Sequence, residues 1–360
     1  IVKTANDVLA KKRPVVVPQQ KGVCCGDRPQ LLSFAGSAYV KITEGCNNCC
    51  SFCAIPLIRG HLRSRPVADI VSEVKQLVLG GTKEINLIGQ DLASYGCGTD
   101  DDVLQNGKNG FQQNASSLLY DLLAELSKID GQFWIRLLYI HPDHFNADIL
   151  SLMQKDKRIL PYFDIPFQSA SDSIIKAMNR KGTFKQYVSL IETIRSALPE
   201  ASIRTTFLTG FPGETDEDAQ KTFEFLETIK PDWSGCFAYS REEDTPAYSF
   251  KGRVAKKIAE SRASKLEQKQ ATITAERLKS RVGKIYSVLV EEIIQNNDGS
   301  DDGLAIGRAW FEAPDVDGNV VIRYDLDDAH AVSNIVPGNV VSVKALASSE
   351  LDIDGVYCAD

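Results

Sequence analysis

The chain has 360 residues, of which 43% are apolar, and a formal net charge of −7. A chain of this length can bury a sizeable core and predicts two or three domains. Its longest apolar runs are short pieces such as Val15–Val17, far below the roughly 18 residues of a membrane span. Since no signal-peptide pattern opens the sequence, we expect a cytoplasmic protein without a membrane anchor.

Cysteine and charge are both unevenly distributed. Four of the nine cysteines lie within nine residues, where they could not all form disulfides, so they indicate a metal or a cluster in a reducing compartment. Residues 283–360 carry 15 acidic and 4 basic side chains, a net of −11, which leaves residues 1–282 at +4. The C-terminal end is therefore predicted to be a separate acidic module.

Residues 1–36 do not predict a regular element. They combine a basic KKRP, a strand-like VVVP and the adjacent pair Cys24 and Cys25. We interpret this segment as a linker or as the remnant of an upstream unit. Since the chain starts at Ile1 rather than at Met, we expect a longer parent protein.

From Ala38 onward, short apolar segments alternate with amphipathic helical patterns. Six strand–helix repeats predict parallel strands with the helices outside, an α/β fold of the partial TIM-barrel type over residues 37–253. In such folds the chemistry lies at the carboxyl ends of the strands. The predicted strands are AYVKI (38–42), EINLIG (84–89), FWIRLLYI (133–140), YFDIPF (162–167), SIRTTFLTG (202–210) and DWSGCFAY (232–239).

The last third of the chain predicts a connector and a second domain. Residues 254–282 are rich in Lys, Arg, Ala and Glu without Pro or Gly, which indicates a long exposed helix. Short alternating strands separated by turn residues follow, and they predict a small all-β barrel of the OB type over residues 283–350. Residues 351–360 are interpreted as a C-terminal tail.

The segment Gly45–Cys53, GCNNCCSFC, is called the cysteine loop here. Its four thiols could form two C-x2-C pairs, as in a zinc site, or a C-x3-C-x2-C triad of Cys46, Cys50 and Cys53. A zinc site needs its second ligand pair about a dozen residues or more away, because both pairs must point at one tetrahedral ion. Adjacent Cys49 and Cys50 point in different directions, so the triad is the favoured reading over zinc or inert thiols.

The triad makes a distinct chemical prediction. Three thiolates hold three irons of a 4Fe-4S cluster and leave the fourth iron without a protein ligand. The chemistry associated with this spacing is S-adenosylmethionine bound at the open iron and cleaved to a radical. Cys49 is then a neighbour rather than a ligand.

The segment KITEGCNNCCSFCAIPLIRGHLRSRP resembles the loop of the radical S-adenosylmethionine methylthiotransferases. The similarity extends over residues 38–348 and is greatest to the RimO branch, which modifies an aspartate of the small-subunit ribosomal protein S-twelve. It implies an incomplete barrel of six strand–helix units, a C-terminal TRAM domain, one 4Fe-4S cluster with an open iron, S-adenosylmethionine and an external electron donor.

The resemblance also implies residues that contact the cofactor. Gly89, Gln90 and Asp91 follow the second strand, where the superfamily places a segment that binds the amino group of S-adenosylmethionine; an ordinary polar turn is the alternative. Phe52 is expected to contact the adenine. Arg204 is a candidate for the cofactor carboxylate, with a salt bridge inside the sheet as its alternative. Two further family motifs are Gln168 in PFQSASD and the GFPGE turn at 210–214, whose Gly and Pro could simply shape a turn.

Two histidines lie close together in YIHPDHF, at positions 141 and 144. Pro142 argues against a regular helix there, so we favour a loop that lines the site over a pair of metal ligands. Cys97, Cys236 and Cys358 are isolated and are interpreted as buried or incidental thiols.

The N-terminus departs from the pattern of this family. Full-length relatives have an N-terminal domain in which three cysteines hold a second 4Fe-4S cluster. Cys24 and Cys25 are adjacent and do not supply three ligands, so we expect the second cluster only in a longer protein. Complete sulfur insertion by this chain alone is accordingly not expected.

The charge distribution discriminates between the two substrates known in this family. A module with a net charge of −11 repels the phosphates of transfer RNA and attracts a basic ribosomal protein. We therefore favour the ribosomal protein over a transfer RNA methylthiotransferase acting on a modified adenosine. A solvated surface without a partner, and a non-enzymatic iron–sulfur protein, are the remaining alternatives.

Overall fold

The computed structural model describes residues 2–13, 34, 36–97, 117–294 and 302–359. Its first domain contains six parallel strands, and each pairs with the next in the order β1, β4, β5, β6, β7, β8. The predicted six-unit α/β domain is thereby confirmed, with β1 and β8 as the two edges of an open sheet. The strands are β1 (Ser37–Lys41), β2 (Thr43–Glu44), β3 (Arg63–Ser64), β4 (Glu84–Ile88), β5 (Trp134–Leu137), β6 (Ile159–Asp164), β7 (Ser202–Thr209) and β8 (Trp233–Ala238), of which β2 and β3 form a separate two-stranded ribbon.

Helices cover the sheet because their apolar residues recur with helical spacing. In the helix Val67–Leu79, for example, the buried residues are Ile70, Val74 and Leu77, which share one face. The sheet strands supply the other side of this core, including Val40, Leu87 and Phe163. The helices are α1 (Val2–Leu9), α2 (Ile55–Arg59), α3 (Val67–Leu79), α4 (Leu119–Leu126), α5 (Asp148–Lys155), α6 (Asp172–Ala177), α7 (Phe184–Ala197), α8 (Asp216–Ile229), α9 (Lys256–Lys279) and α10 (Ala329–Asn334).

Two predictions about the ends of the first domain need correction. Residues 2–9 form the helix α1, where no regular element was predicted. The connector α9 is helical as predicted, but it is not exposed all round, since Ala263, Leu266 and Ile273 are buried in the main core. This face of the helix packs against β7 and β8. Cys24 and Cys25 lie outside the described residues.

The second domain is a closed barrel of five strands, called the small barrel here. Residues 351–360, predicted to be a tail, contribute its fifth strand, because Ile353–Cys358 pairs with both Val320–Asp325 and Val340–Ser348. The short stretch IDGVYC contains Asp354 and Gly355, residue types that are depleted in strands, so it does not signal a strand without its neighbours. The barrel strands are β9 (Ile285–Ile294), β10 (Asp302–Ala309), β11 (Val320–Asp325), β12 (Val340–Ser348) and β13 (Ile353–Cys358).

The small barrel packs on the amino ends of the sheet strands. Arg308 reaches Glu84, the first residue of β4, with Nη2 to Oε2 at 2.7 Å. The carbonyl of Phe311 accepts hydrogen bonds from Ser202 and Trp233, the first residues of β7 and β8. The opposite, carboxyl ends of the strands carry the cysteine loop. Among the described helices, none combines the length and the apolarity needed to cross a membrane.

Candidate functional site

A cavity of about 230 Å³ lies at the carboxyl ends of β1, β4 and β5. We call it the cysteine cavity, because Cys46, Cys50 and Cys53 all line it. These three thiols come from one loop after β1, and the other walls come from the segments after β4 and β5. Its remaining lining residues include Asn48, Cys49, Phe52, Gly89, Gln90, Tyr139 and His141.

The backbone of the cysteine loop sets the directions of its thiols. Gly45 has φ of +79°, and a Cβ there would lie 2.2 Å from the carbonyl oxygen of His61, so glycine is required at the start of the loop. Cys49 has φ of +50° and is exposed, whereas Cys50 is buried. The left-handed backbone of Cys49 thus leaves its thiol at the surface, while the thiol of the next residue, Cys50, lies inside the protein.

The three thiols of Cys46, Cys50 and Cys53 line one cavity, as a shared cluster requires. Among the described residues, no three His, Cys, Asp or Glu side chains are close enough together to hold one metal ion. A cluster differs, because each thiolate binds a different iron. Burial raises the pKa of Cys46 to about 12 and also raises that of Cys53. Both thiols therefore need a cationic centre to become thiolates, as metal binding provides.

Asp91 organises the loop and does not line the cavity, and the cofactor contact predicted for it stays a prediction. Its carboxylate accepts hydrogen bonds from Asn48 Nδ2 at 2.9 Å and Ser94 Oγ at 2.6 Å, and it contacts His144 Nδ1 at 3.0 Å. Burial opposes its ionisation, but these contacts and nearby His141 outweigh burial and hold the pKa of Asp91 well below its usual range. The bond to Asn48 ties the cysteine loop to the segment after β4.

Gly89, Gln90 and Phe52 lie where the sequence predicts them, in the wall of the cysteine cavity. Gln90 has a feature that indicates ligand binding, because its Oε1 is buried without a hydrogen-bond partner among the described residues. A buried acceptor of this kind is costly unless a ligand supplies the donor. His141, predicted to line the site, also does so.

Arg204 and Gln168 do not line the cysteine cavity. Arg204 lies near the amino end of β7, where its Nη1 is 2.6 Å from Asp317 of the small barrel and its Nε is 3.9 Å from Asp164. The ion-pair alternative is therefore the one that the structure supports for Arg204. Gln168 is buried after β6 with φ of +70°, and its backbone bonds to Thr206 and Leu208 of β7.

Arg180 is a residue that the sequence reasoning missed. Its side chain is buried, and its Nη1 donates to the carbonyl oxygens of Pro166 at 2.6 Å and Phe167 at 3.2 Å. No carboxylate of the described residues lies within ion-pair distance of it, and its Nε has no hydrogen-bond partner there. The guanidinium lies 5.9 Å from the ring centroid of Phe52 in the cavity wall. This buried cation lies beside Cys50 and Tyr187 without a carboxylate partner among the described residues, which suits an anionic ligand. Nothing in the sequence NRKG distinguishes it from a surface arginine.

Comparison with known proteins agrees with this geometry. Residues 40–226 match the model of the radical SAM superfamily, and residues 282–357 match that of the TRAM domain. A relative from Treponema denticola, named ribosomal protein uS12 methylthiotransferase RimO, is 51% identical over 98% of this chain and 76% of its own length. The chain belongs to the RimO family.

Other members of the RimO family have the same name. The relative from Clostridioides difficile is 38% identical over 91% of this chain and 68% of its own length. Among solved structures, coproporphyrinogen III oxidase HemN from Escherichia coli aligns with 76% of this chain and 64% of its own, at 15% identity and a TM-score of 0.46. The radical SAM and TRAM assignments made from the sequence are thus confirmed by the family matches.

Proposed function

We propose that this chain is a radical SAM methylthiotransferase that adds a methylthio group to an aspartate of the ribosomal protein uS12. The main support is the cysteine cavity, which collects the three thiols of the C-x3-C-x2-C triad. Its position at the carboxyl ends of parallel strands is where such folds carry out their chemistry. The substrate is the one that the name of the RimO relatives states.

In this proposal, Cys46, Cys50 and Cys53 hold one 4Fe-4S cluster, and S-adenosylmethionine occupies the rest of the cavity. When bound, the cluster supplies the electron that cleaves S-adenosylmethionine, and an external donor replaces it. Cys49 is exposed at its side of the loop and stays unligated. A second cluster is assigned to the longer proteins of the family rather than to these residues.

The chain's own polar groups then orient the cofactor. The unpaired Gln90 Oε1 accepts a hydrogen bond from the cofactor's amino group, beside Gly89. Arg180, which has no carboxylate partner among the described residues, pairs with the cofactor carboxylate. Phe52 supplies an apolar surface for the adenine, and Asp91 fixes the loop through Asn48. Arg204 and Gln168 are not given a role in binding.

The acidic small barrel favours a basic protein as the partner. Residues 283–360 have a net charge of −11, and several of their carboxylates are exposed, among them Asp325, Asp327, Asp328 and Glu350. This surface attracts lysines and arginines and repels a phosphate backbone. A protein that acts on ribosomal proteins in this way belongs in the cytoplasm.

Anaerobic reconstitution with iron and sulfide tests the chemistry. With dithionite and S-adenosylmethionine, the loaded protein is expected to bind about four irons and to release 5′-deoxyadenosine. Cys46→Ala, Cys50→Ala and Cys53→Ala should each lose both properties, whereas Cys49→Ala, the matched control in the same loop, should keep them. Loss of iron in Cys49→Ala equal to that in the other three would refute the assignment of ligands.

Binding across a salt series tests the partner. Purified uS12 is expected to bind more tightly than transfer RNA at every salt concentration, with an affinity that falls as salt rises. Stronger, salt-sensitive binding of transfer RNA would favour the transfer RNA methylthiotransferase instead.

A further inference from the structure

N–H groups are directed at two of the triad sulfurs, those of Cys46 and Cys50. The backbone N of Asn48 lies 3.5 Å from Cys46 Sγ. Cys50 Sγ lies 3.9 Å from Nε2 of His141, and Arg180 also lies beside it. The donor to Cys46 is therefore fixed by the fold of the loop, whereas His141 is a side chain that can be exchanged.

The hydrogen-bond pattern of His141 determines which of its nitrogens carries the proton. The backbone N–H of Asp143 donates to His141 Nδ1 at 3.3 Å, so Nδ1 acts as the acceptor. In a neutral imidazole the other nitrogen is then protonated. Nε2 is the atom that faces Cys50, and its N–H consequently points at the sulfur.

The ring of His141 is held in this orientation from several sides. It is 3% exposed, and it stacks on His144 with centroids 5.0 Å apart and an interplanar angle of 28°. His144 is in turn held by Asp91, which also accepts the backbone N–H of His141 at 3.2 Å. The contact with Cys50 is thus built into the segment after β5 and does not depend on a mobile side chain.

We propose that His141 is a positioning residue that donates an N–H···S hydrogen bond to Cys50 and raises the reduction potential of the cluster. This inference rests on the proposed function, since it assumes a cluster on the three thiolates. The reduced cluster carries one more electron, part of which resides on the sulfurs. A hydrogen bond to sulfur stabilises that charge, and it does so strongly in a buried site. The electron comes from an external one-electron donor, and no bond is made or broken at His141.

The experiment is a redox titration monitored by electron paramagnetic resonance, carried out on protein loaded with iron and sulfide. His141→Leu removes the donor at similar volume, and His141→Gln places an amide N–H at comparable reach. We expect the midpoint of His141→Leu to become more negative, so that its oxidised-to-reduced ratio at the wild-type midpoint rises about tenfold, which equals 59 mV for one electron. His141→Gln should restore most of the shift, and His330→Leu on the small barrel should have none.

The possible outcomes separate this inference from the proposed function. A wild-type protein that takes up no iron would overturn both. A wild-type protein that loads fully, together with an unshifted His141→Leu midpoint, would overturn the role of His141 alone. Loss of iron from a folded His141→Leu would show that the residue retains the cluster rather than tuning it, which also overturns the proposal. If the leucine variant does not fold, as judged by circular dichroism, His141→Met provides the donor-free comparison.

Discussion

Glu84 joins the two domains through a buried set of charges, and its replacement by Gln should destabilise the protein strongly. Its side chain is fully buried and accepts hydrogen bonds from Ser37 Oγ at 2.8 Å, Arg136 Nε at 3.0 Å and Arg308 Nη2 at 2.7 Å. Arg308 has a second carboxylate in Glu291, at 2.7 Å, whereas Glu84 is the ion-pair partner found for Arg136 among the described residues. Glu84→Gln would leave the Arg136 charge buried without compensation, a loss that costs about 3–5 kcal/mol.

Urea unfolding followed by circular dichroism measures this loss. The control is Arg323→Ala, which breaks the exposed pair of Arg323 and Asp354 with its 2.9 Å contact and should change the free energy of unfolding little. A loss below about 1 kcal/mol for Glu84→Gln would refute the reasoning. So would equal losses in the two variants.

The effect of Glu84→Gln should also depend on pH. Burial opposes ionisation of Glu84, but the charges of Arg136 and then Arg308 outweigh it and lower the pKa of Glu84 to about 2. A depressed carboxylate pKa stabilises the folded state above the unfolded pKa of about 4.3 and loses this contribution as the pH falls through the folded pKa. The difference between the wild-type protein and Glu84→Gln should therefore shrink between about pH 4.3 and pH 2.

Four further outcomes follow from the same structure. Gly45→Ala should lower iron uptake, because its Cβ would meet the His61 carbonyl, whereas Gly81→Ala, with a similar φ of +96° but nothing within 4 Å of its Cβ, should leave iron uptake unchanged. Asp91→Ala frees Asn48 and should weaken iron retention in a chelator challenge; unchanged retention would contradict its role in the loop. Arg180→Met should weaken binding of S-adenosylmethionine to the loaded protein about tenfold or more, since a charged hydrogen bond contributes about 1.5–3 kcal/mol. Arg180→Lys should lose less affinity. If calorimetry gave the same affinity for Arg180→Met and the wild-type protein, Arg180 would not belong to the site. Burial raises the pKa of Glu312 to about 8. The folded protein therefore loses stability as the pH rises from about 4.3 to 8, because ionisation of Glu312 is easier in the unfolded chain. Glu312→Gln should be more resistant to urea than the wild-type protein at pH 8 but not at pH 5.

The features that the sequence predicted well are those that depend on neighbours in the chain. The strand–helix alternation and the spacing of Cys46, Cys50 and Cys53 are local patterns, and both were sufficient to assign the family. Residues whose roles depend on distant partners were not predictable. Arg204 forms an ion pair with Asp317 across the domain boundary. The segment Ile353–Cys358 is a strand because it pairs with β11 and β12.

Arg180 and Asp91 illustrate the same limit at the site itself. Asp91 was predicted to contact the cofactor, and the sequence could not show that it is buried among Asn48, Ser94 and His144. Arg180 follows a helix in an ordinary polar sequence. The role proposed for it rests on its burial beside Cys50 and Phe52, and the sequence does not record these neighbours.

In the proposed function, the placement of the small barrel separates the binding of the partner from the reaction. The barrel is docked at the amino ends of the strands, and the cysteine cavity opens at their carboxyl ends. The eight residues of β7 span roughly 26 Å at about 3.3 Å per residue. A partner held by the acidic barrel must therefore deliver its target residue on an extended segment that reaches along the outside of the sheet. The length and flexibility of that segment, in addition to its charge, would then decide which partner proteins can be modified.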